Sequence, residues 1–238
     1  MKNEFVKRLW LCLVVCITVF RGTGAFAQRD AVMFIECEHK DQAFKSLGEV
    51  TLVWLTNTYL GNSYDTIHWM INEDATRDMF METMIHAVNT SPAVDLYLMA
   101  HGGTQYTWGH NDTRITSDDV LALGAFENMH HLRFVYEGSC YGYDQTDEFR
   151  AIGAESAIGN MALNSNEIFF PTFAAWFRKT TGICGQDTSN NLKTAVQAAR
   201  NATSLVKPMD FQINGDEHLK MTSMSEENDT AGEGEEER

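Results

Sequence analysis

The chain has 238 residues, of which 44% are hydrophobic, and this is enough to bury the core of one domain. It contains only 3 prolines and 17 glycines and no long repeat, which excludes a fibrous or collagen-like protein. The 33 acidic residues exceed the 18 basic ones and give a net charge of −15. Because such a surface repels phosphate groups, we expect no nucleic-acid partner.

The beginning of the chain carries the pattern of a secretory signal peptide. Basic residues precede an apolar run of twelve residues from Leu9 to Phe20, and Ala25-Phe26-Ala27 forms a small-x-small cleavage site. The run is too short to cross a bilayer as a stable helix, and no later stretch reaches the ~20 apolar residues that a membrane span needs. The pattern predicts a leader over residues 1–27 and a secreted or periplasmic mature protein.

Apolar segments after the leader predict strands that alternate with helices. Strands are expected at residues 31–37, 50–55, 93–100, 132–137 and 156–160, and helices at 74–89, 117–129, 168–180 and 189–205. Because most of these strands are apolar almost throughout, they are typical of a parallel sheet that is covered on both faces. The sequence therefore predicts an α/β domain over residues 28–224, with a mostly parallel central sheet between two layers of helices. Residues 225–238 hold seven acidic side chains and predict a disordered tail.

Three cysteines follow the leader: Cys37, Cys140 and Cys184. In an exported protein, this odd number predicts either one disulfide with one remaining thiol or three thiols. If Cys140 is the remaining thiol, Cys37 and Cys184 are the possible disulfide pair. No metal or other cofactor is expected, because the cysteines are too few for a structural zinc site and the acidic residues lack the spacing of an EF-hand.

Two of the predicted strands end in residues that carry hydrolytic chemistry. The third predicted strand is followed by His101, and the fourth leads into Cys140. Parallel strands lie about 4.8 Å apart and open into a crevice at their carboxyl ends, so adjacent strands would bring this imidazole and this thiol together. A thiol hydrolase needs such a pair. The backbone N–H groups of Gly102 and Cys140 would stabilise an oxyanion, and Gly103 would let a substrate approach closely.

The same segments resemble the caspase–legumain–gingipain superfamily of cysteine peptidases, and their layout is most similar to that of legumain. The resemblance covers residues 93–143 and rests on an apolar strand that ends in His101-Gly102 and a later one that ends in Ser139-Cys140. It implies a caspase-like three-layer α/β fold that acts on a protein or peptide substrate without a cofactor. It also implies that Cys140 is the nucleophile and that His101 protonates the leaving amine.

The sequence departs from the superfamily next to the predicted nucleophile. Many members have Gln, Asp or Glu two residues before the cysteine, where it shapes the substrate pocket, but this chain has Gly138 there and Glu137 one residue earlier. Because one step along a strand moves a side chain to the opposite face, Glu137 is not expected to take over that role directly. Glu137, Gly138 and Gly103 are therefore only possible pocket residues. Gly138 and Gly142 are expected to let the chain turn sharply around the thiol.

Two further functions are compatible with these residues. The departure at Gly138 fits a caspase-like fold that serves as a binding or scaffold module with little catalysis, whereas an intact dyad could also belong to an amidase or transpeptidase. A binding or scaffold module should cleave no member of a peptide library, whereas an enzyme should. Product analysis with an added amine distinguishes a transpeptidase from a hydrolase. The sequence favours a secreted cysteine endopeptidase that acts through a thioester, and it does not predict the oligomeric state.

Overall fold

The computed structural model of the chain describes residues 28–37, 42–162, 166–178, 190–204 and 209–221. The predicted leader, the predicted acidic tail and Cys184 lie outside these residues, so the leader, the tail and the disulfide stay predictions. Within the described ranges, no helix is both long and apolar enough to cross a membrane.

A six-stranded sheet forms the centre of the molecule. The described strands are β1 (Asp30–Glu36), β2 (Thr66–Ile71), β3 (Val94–Ala100), β4 (Gly102–Gly103), β5 (Tyr106–Trp108), β6 (Arg114–Thr116), β7 (Leu132–Glu137), β8 (Ser156–Asn160) and β9 (Phe211–Gly215). The order in the central sheet is β2-β1-β3-β7-β8-β9, and β4, β5 and β6 form a separate small sheet. The first five central strands are parallel, and β9 runs antiparallel to β8.

Helices cover both faces of the central sheet. They are α1 (Gln42–Tyr59), α2 (Arg77–Thr90), α3 (Ser117–Leu123), α4 (Thr146–Ala151), α5 (Asn166–Phe177) and α6 (Leu192–Thr203). One apolar core lies between the sheet and α1, α5 and α6, and the other lies between the sheet and α2, α3 and α4. The predicted fold class, a mostly parallel sheet between two helical layers, is therefore confirmed.

Strand β1 illustrates why the apolar runs predicted central strands correctly. Met33 and Ile35 belong to the core beneath α1, α5 and α6, whereas Val32 and Phe34 belong to the opposite core. Both faces of the strand exclude water, so apolar residues stabilise it at every position rather than at alternate ones. The expected strands near β3, β7 and β8 are found for the same reason, and each of these strands is buried along its whole length.

The prediction of a strand over residues 50–55 is wrong, because this segment lies inside α1. Leu52 and Leu55 are buried on the sheet side of the helix, while Val50 and Trp54 are 65% and 62% exposed. The β-branched residues of this segment favoured a strand. The buried leucines, however, are three residues apart, which places them on the same face of a helix that packs on one side. The second strand of the chain is instead β2, which the sequence analysis missed.

The bounds of α2 and α3 differ from the predicted ones by three residues or more at one end. Helix α2 begins at Arg77 rather than at residue 74, because the side chain of Thr76 accepts a hydrogen bond from the N–H of Met79 and caps the helix there. Helix α3 ends at Leu123 rather than at residue 129, and a short 3-10 turn over Met129–His131 leads into β7.

A buried ion pair joins β3 and β7 near their amino ends. Arg133 and Asp95 are both completely buried, and Arg133 Nε donates a hydrogen bond of 2.9 Å to Asp95 Oδ1. The hydroxyl of Tyr64 donates to Asp95 Oδ2 at 2.7 Å, and Arg133 Nη1 donates to the carbonyl oxygen of Lys220. This network ties the two central strands to the C-terminal part of the described chain, at the end of the sheet remote from His101 and Cys140.

Candidate active site

His101 lies at the carboxyl end of β3, between the central sheet and the small sheet. Strand β3 is buried as far as Ala100, and His101 is the first exposed residue after it. The carbonyl oxygen of His101 accepts a hydrogen bond of 2.8 Å from the N–H of Trp108. The hairpin formed by β4 and β5 therefore fixes the backbone of His101 as it leaves the core.

Cys140 lies in a tight turn at the carboxyl end of β7. The N–H of Gly138 still bonds the carbonyl oxygen of Leu98 in β3 at 2.8 Å, and the turn closes with a hydrogen bond of 3.2 Å from the N–H of Gly142 to the carbonyl oxygen of Ser139. Cys140 itself is half-buried. The hydrogen bonds between β3 and β7 therefore fix the start of the turn, and Cys140 lies partly exposed at the carboxyl end of the central sheet.

The segments that carry His101 and Cys140 contact each other directly. Strands β3 and β7 are adjacent and parallel, with Leu98 opposite Glu137. A Cβ atom placed on Gly102 would lie 2.6 Å from Ser139 Cβ and 2.8 Å from Ser139 Oγ. The residue after His101 thus packs against the residue before Cys140, and only a glycine allows this approach.

The glycines around Cys140 are required because they have no side chain, and not because of their backbone conformation. Neither Gly138 nor Gly142 has a positive φ, and the left-handed residue of the turn is Tyr141, with a φ of 60°. A Cβ atom on Gly138 would lie 2.3 Å from Asn166 Oδ1, and one on Gly142 would lie 2.4 Å from Glu137 Cγ. The expectation that these two glycines supply a sharp turn is therefore corrected: they supply room for the side chains beneath it.

Glu137, a possible pocket residue of the sequence analysis, is fully buried below the turn. Its Oε1 atom accepts hydrogen bonds from the N–H of Ser139 at 3.1 Å and from Thr107 Oγ1 at 3.2 Å. Burial raises the pKa of Glu137 from its ordinary 4.5 to about 7, although the hydrogen bonds from Ser139 and Thr107 favour the ionised form. A carboxyl group with such a pKa exchanges its proton near neutral pH.

The other two possible pocket residues also lie against protein atoms. The carbonyl oxygen of Gly138 accepts a hydrogen bond of 2.9 Å from Asn166 Nδ2. A Cβ atom on Gly103 would lie 2.7 Å from the hydroxyl oxygen of Tyr106. Their part in substrate binding stays a prediction, as does the assignment of Cys140 and His101 as a catalytic pair.

Several polar residues around the site were missed by the sequence analysis. Thr107 and Gln145 contact each other next to Glu137, and Glu36 ends β1 directly opposite Ala100 of β3. Glu36 Oε1 lies 3.8 Å from His110 Nδ1, so an acidic and a basic side chain share the same sheet edge as His101. None of these residues belongs to a motif, and only the strand order, which periodicity does not reveal, places them together.

Cys37 follows β1 and is half-buried, with its Sγ atom packed near Gly48 of α1. Its predicted partner Cys184 is outside the described residues, so the disulfide is untested. Across the residues that the structure describes, no group of three or more His, Cys, Asp or Glu side chains is arranged to hold a metal ion.

Comparison with solved structures identifies cysteine peptidases with a similar fold. The Arg-specific cysteine proteinase gingipain R matches with a TM-score of 0.52 and 12% identity, over 82% of this chain and 48% of that chain. A secreted C11 cysteine protease from Bacteroides thetaiotaomicron, solved with an irreversible peptide inhibitor, matches with a TM-score of 0.48 and 10% identity, over 82% of this chain and 66% of that chain. No protein-family model and no curated sequence matches the chain.

The match to gingipain R agrees with the fold described above. The chain has the caspase-like α/β fold found in gingipain R, and it spans about half the length of that protein. The resemblance to the caspase–legumain–gingipain superfamily is thereby confirmed at the level of the fold, while the layout most similar to legumain stays a prediction.

Proposed function

We propose that the chain is an exported cysteine endopeptidase in which Cys140 and His101 form the catalytic dyad. The observation that carries the proposal is the contact between Gly102 and Ser139 across the adjacent parallel strands β3 and β7. In an open parallel sheet, ligands bind in the crevice at the carboxyl ends of the strands. A histidine and a cysteine on two touching segments of that edge are suited to nucleophilic catalysis by a thiolate.

The proposed reaction has two steps. The thiolate of Cys140 adds to the carbonyl carbon of the scissile peptide bond, while the N–H groups of Gly102 and Cys140 stabilise the oxyanion. His101 donates a proton to the leaving amine as the C–N bond breaks, and a thioester forms on Cys140. Water then attacks the thioester, which releases the carboxylic acid product and regenerates the thiol.

Export is proposed from the leader pattern at residues 1–27, and a protein or peptide is the proposed substrate. No side-chain preference is proposed, because the position that shapes the pocket in many superfamily members is Gly138 here.

The test compares variants of the exported protein on a fluorogenic peptide library. We expect Cys140→Ala to reduce hydrolysis to background and His101→Ala to lower kcat about 10²–10⁴-fold, because each removes one partner of the proton transfer. Cys37→Ala is the matched control, and its folded fraction should keep the kcat of the unsubstituted protein, since Cys37 follows β1 and is not part of the proposed dyad.

Labelling with a peptidyl chloromethyl ketone, mapped by mass spectrometry, gives an independent result. The label should be found on Cys140 in the unsubstituted protein and in Cys37→Ala. Hydrolysis that persists in Cys140→Ala, or a wild-type protein that cleaves no library member, would overturn the proposed function.

A further inference from the structure

We propose that Glu137 is a positioning residue that holds the Cys140 turn against the hairpin that follows His101. The inference rests on the proposed function, because it gives Glu137 a role in aligning the proposed dyad. The sequence allowed a role for Glu137 in the substrate pocket. The role proposed now is different, because Glu137 would act through other residues and would not contact the substrate.

A single oxygen atom of Glu137 links the two segments. Oε1 accepts the N–H of Ser139, the residue before Cys140, and it also contacts the hydroxyl of Thr107 in β5. Thr107 lies directly opposite Gly102 in the antiparallel β4–β5 pair, and its neighbour Trp108 bonds the carbonyl oxygen of His101. The carboxyl group therefore bonds the backbone next to Cys140 directly, and it reaches the backbone of His101 through the Thr107 side chain and the hydrogen bond of Trp108.

The link persists in both protonation states of the carboxyl group. Thr107 Oγ1 lies 3.2 Å from Glu137 Oε1 and 3.1 Å from Gln145 Oε1, and its one hydrogen can serve only one of them. When Glu137 is ionised, Thr107 donates to Glu137. When Glu137 is protonated, it can donate to Thr107, whose hydrogen then goes to Gln145. Gln145 is oriented for this by a hydrogen bond of 3.4 Å from its Nε2 to the carbonyl oxygen of Ile115.

Stability alone does not account for an acid at this position. Glu137 is fully buried, and its Oε2 atom has no hydrogen-bond partner among the described residues. Burying a carboxyl group with an unsatisfied oxygen costs free energy, whereas an apolar side chain of similar size would not. The chain also requires glycine at position 142 to make room for it. Because burial of this carboxyl group lowers the free energy of unfolding, we expect Glu137 to have a role in positioning the Cys140 turn.

The same enclosure excludes direct contact with a substrate. The side chain has no exposed surface, and it is covered by Thr107, by Ser139 and by the backbone of Gly142. Loss of Glu137 should therefore change how well the dyad is aligned, which affects kcat, and should leave substrate affinity, reflected in KM, nearly unchanged.

The experiment compares Glu137→Met with Glu137→Gln in the full chain. Met has a similar shape and no acceptor, so we expect kcat to fall about 100-fold with little change in KM, while the melting temperature changes little because the buried carboxyl and the acceptor of the Ser139 N–H are lost together. Gln keeps an acceptor oxygen and should restore kcat to within about threefold of the unsubstituted protein. A merely structural role predicts the opposite pattern, in which Met is tolerated because it packs well.

Thr107→Val tests the second end of the link. It removes the hydroxyl and keeps the shape, and we expect it to lower kcat about tenfold and to add little further loss in the Glu137→Met background, since both changes break one connection. Thr203→Val is the matched control, because Thr203 is an equally buried threonine whose hydroxyl bonds only within its own helix α6. Its kcat should not change.

Each outcome supports or overturns the inference. Unchanged kcat in folded Glu137→Met overturns it, and so does failure of Glu137→Gln to restore kcat. If Glu137→Met does not fold, Thr107→Val decides, and unchanged kcat in that variant overturns the inference. Activity that depends on Cys140 but not on Glu137 overturns this inference alone, whereas activity independent of Cys140 overturns the proposed function as well.

Discussion

Gly102 contributes to the candidate site through the side chain that it lacks. Its backbone has no positive φ, and its role follows from the 2.6 Å that would separate an added Cβ atom from Ser139 Cβ. The sequence places a glycine next to His101, but it does not reveal which residue of a distant segment touches that glycine. Contacts of this kind depend on strand order, which the sequence pattern does not encode.

Glu137 is the residue at which pH should act on the folded protein. Its pKa is about 7 in the folded state, against an ordinary value of 4.5, and burial is the main cause. Between these two values the folded protein holds a proton that the unfolded chain has released. Raising the pH from 5 to 8 should therefore favour unfolding, with a loss from this group of roughly 3 kcal/mol.

The measurement is urea denaturation between pH 5 and pH 8 in a Cys140→Ala background, which prevents self-cleavage. Adding Glu137→Gln should remove this part of the pH dependence, because the amide does not titrate. The hydrogen-bond donors to Glu137, the N–H of Ser139 and the hydroxyl of Thr107, are uncharged, so the difference between the two proteins reports on Glu137. Identical pH dependence in both proteins would contradict the raised pKa.

At the scale of secondary structure, burial on both faces decided which elements the sequence could predict. Strands β1, β3, β7 and β8 are buried throughout, so their apolar runs identified them. Strand β2 was missed because it lies at the edge of the sheet, where Thr66 is exposed and most of its other residues are only half-buried. In α1, the exposed apolar residues Val50 and Trp54 produced an apolar run that wrongly predicted a strand.

The ion pair between Asp95 and Arg133 should be a main determinant of how β3 and β7 are held together. Asp95→Leu would leave the fully buried guanidinium without its carboxylate, and we expect it to lower the free energy of unfolding by about 3–5 kcal/mol. Replacing both residues, as Asp95→Leu with Arg133→Met, should recover much of this loss because no charge is then buried alone. Urea denaturation checks both variants, and a double variant no more stable than the single one would contradict the prediction.

On the scale of the whole molecule, the strand order explains the place of the candidate site. From β1 the chain proceeds to β2 on one side, and β3 then continues the sheet on the other side. In an open parallel sheet, such a change of direction is where ligands bind, at the carboxyl ends of the strands. His101 follows β3 at this point, and Cys140 follows β7, one strand further. The sequence predicted the two strand ends correctly, but their adjacency in space became visible only in the fold.

Strand β9 is the last strand of the central sheet and runs antiparallel to β8. It covers the outer edge of β8 through five residue pairs, and its Phe211 stacks on Phe169 of α5 with 3.9 Å between ring centroids. A chain that stops before residue 209 would present an unpaired, apolar rim, and such rims recruit further strands. We expect that shortened protein to self-associate as its concentration rises, as light scattering coupled to gel filtration would detect. A shortened chain with the same oligomeric state as the full chain would contradict this prediction.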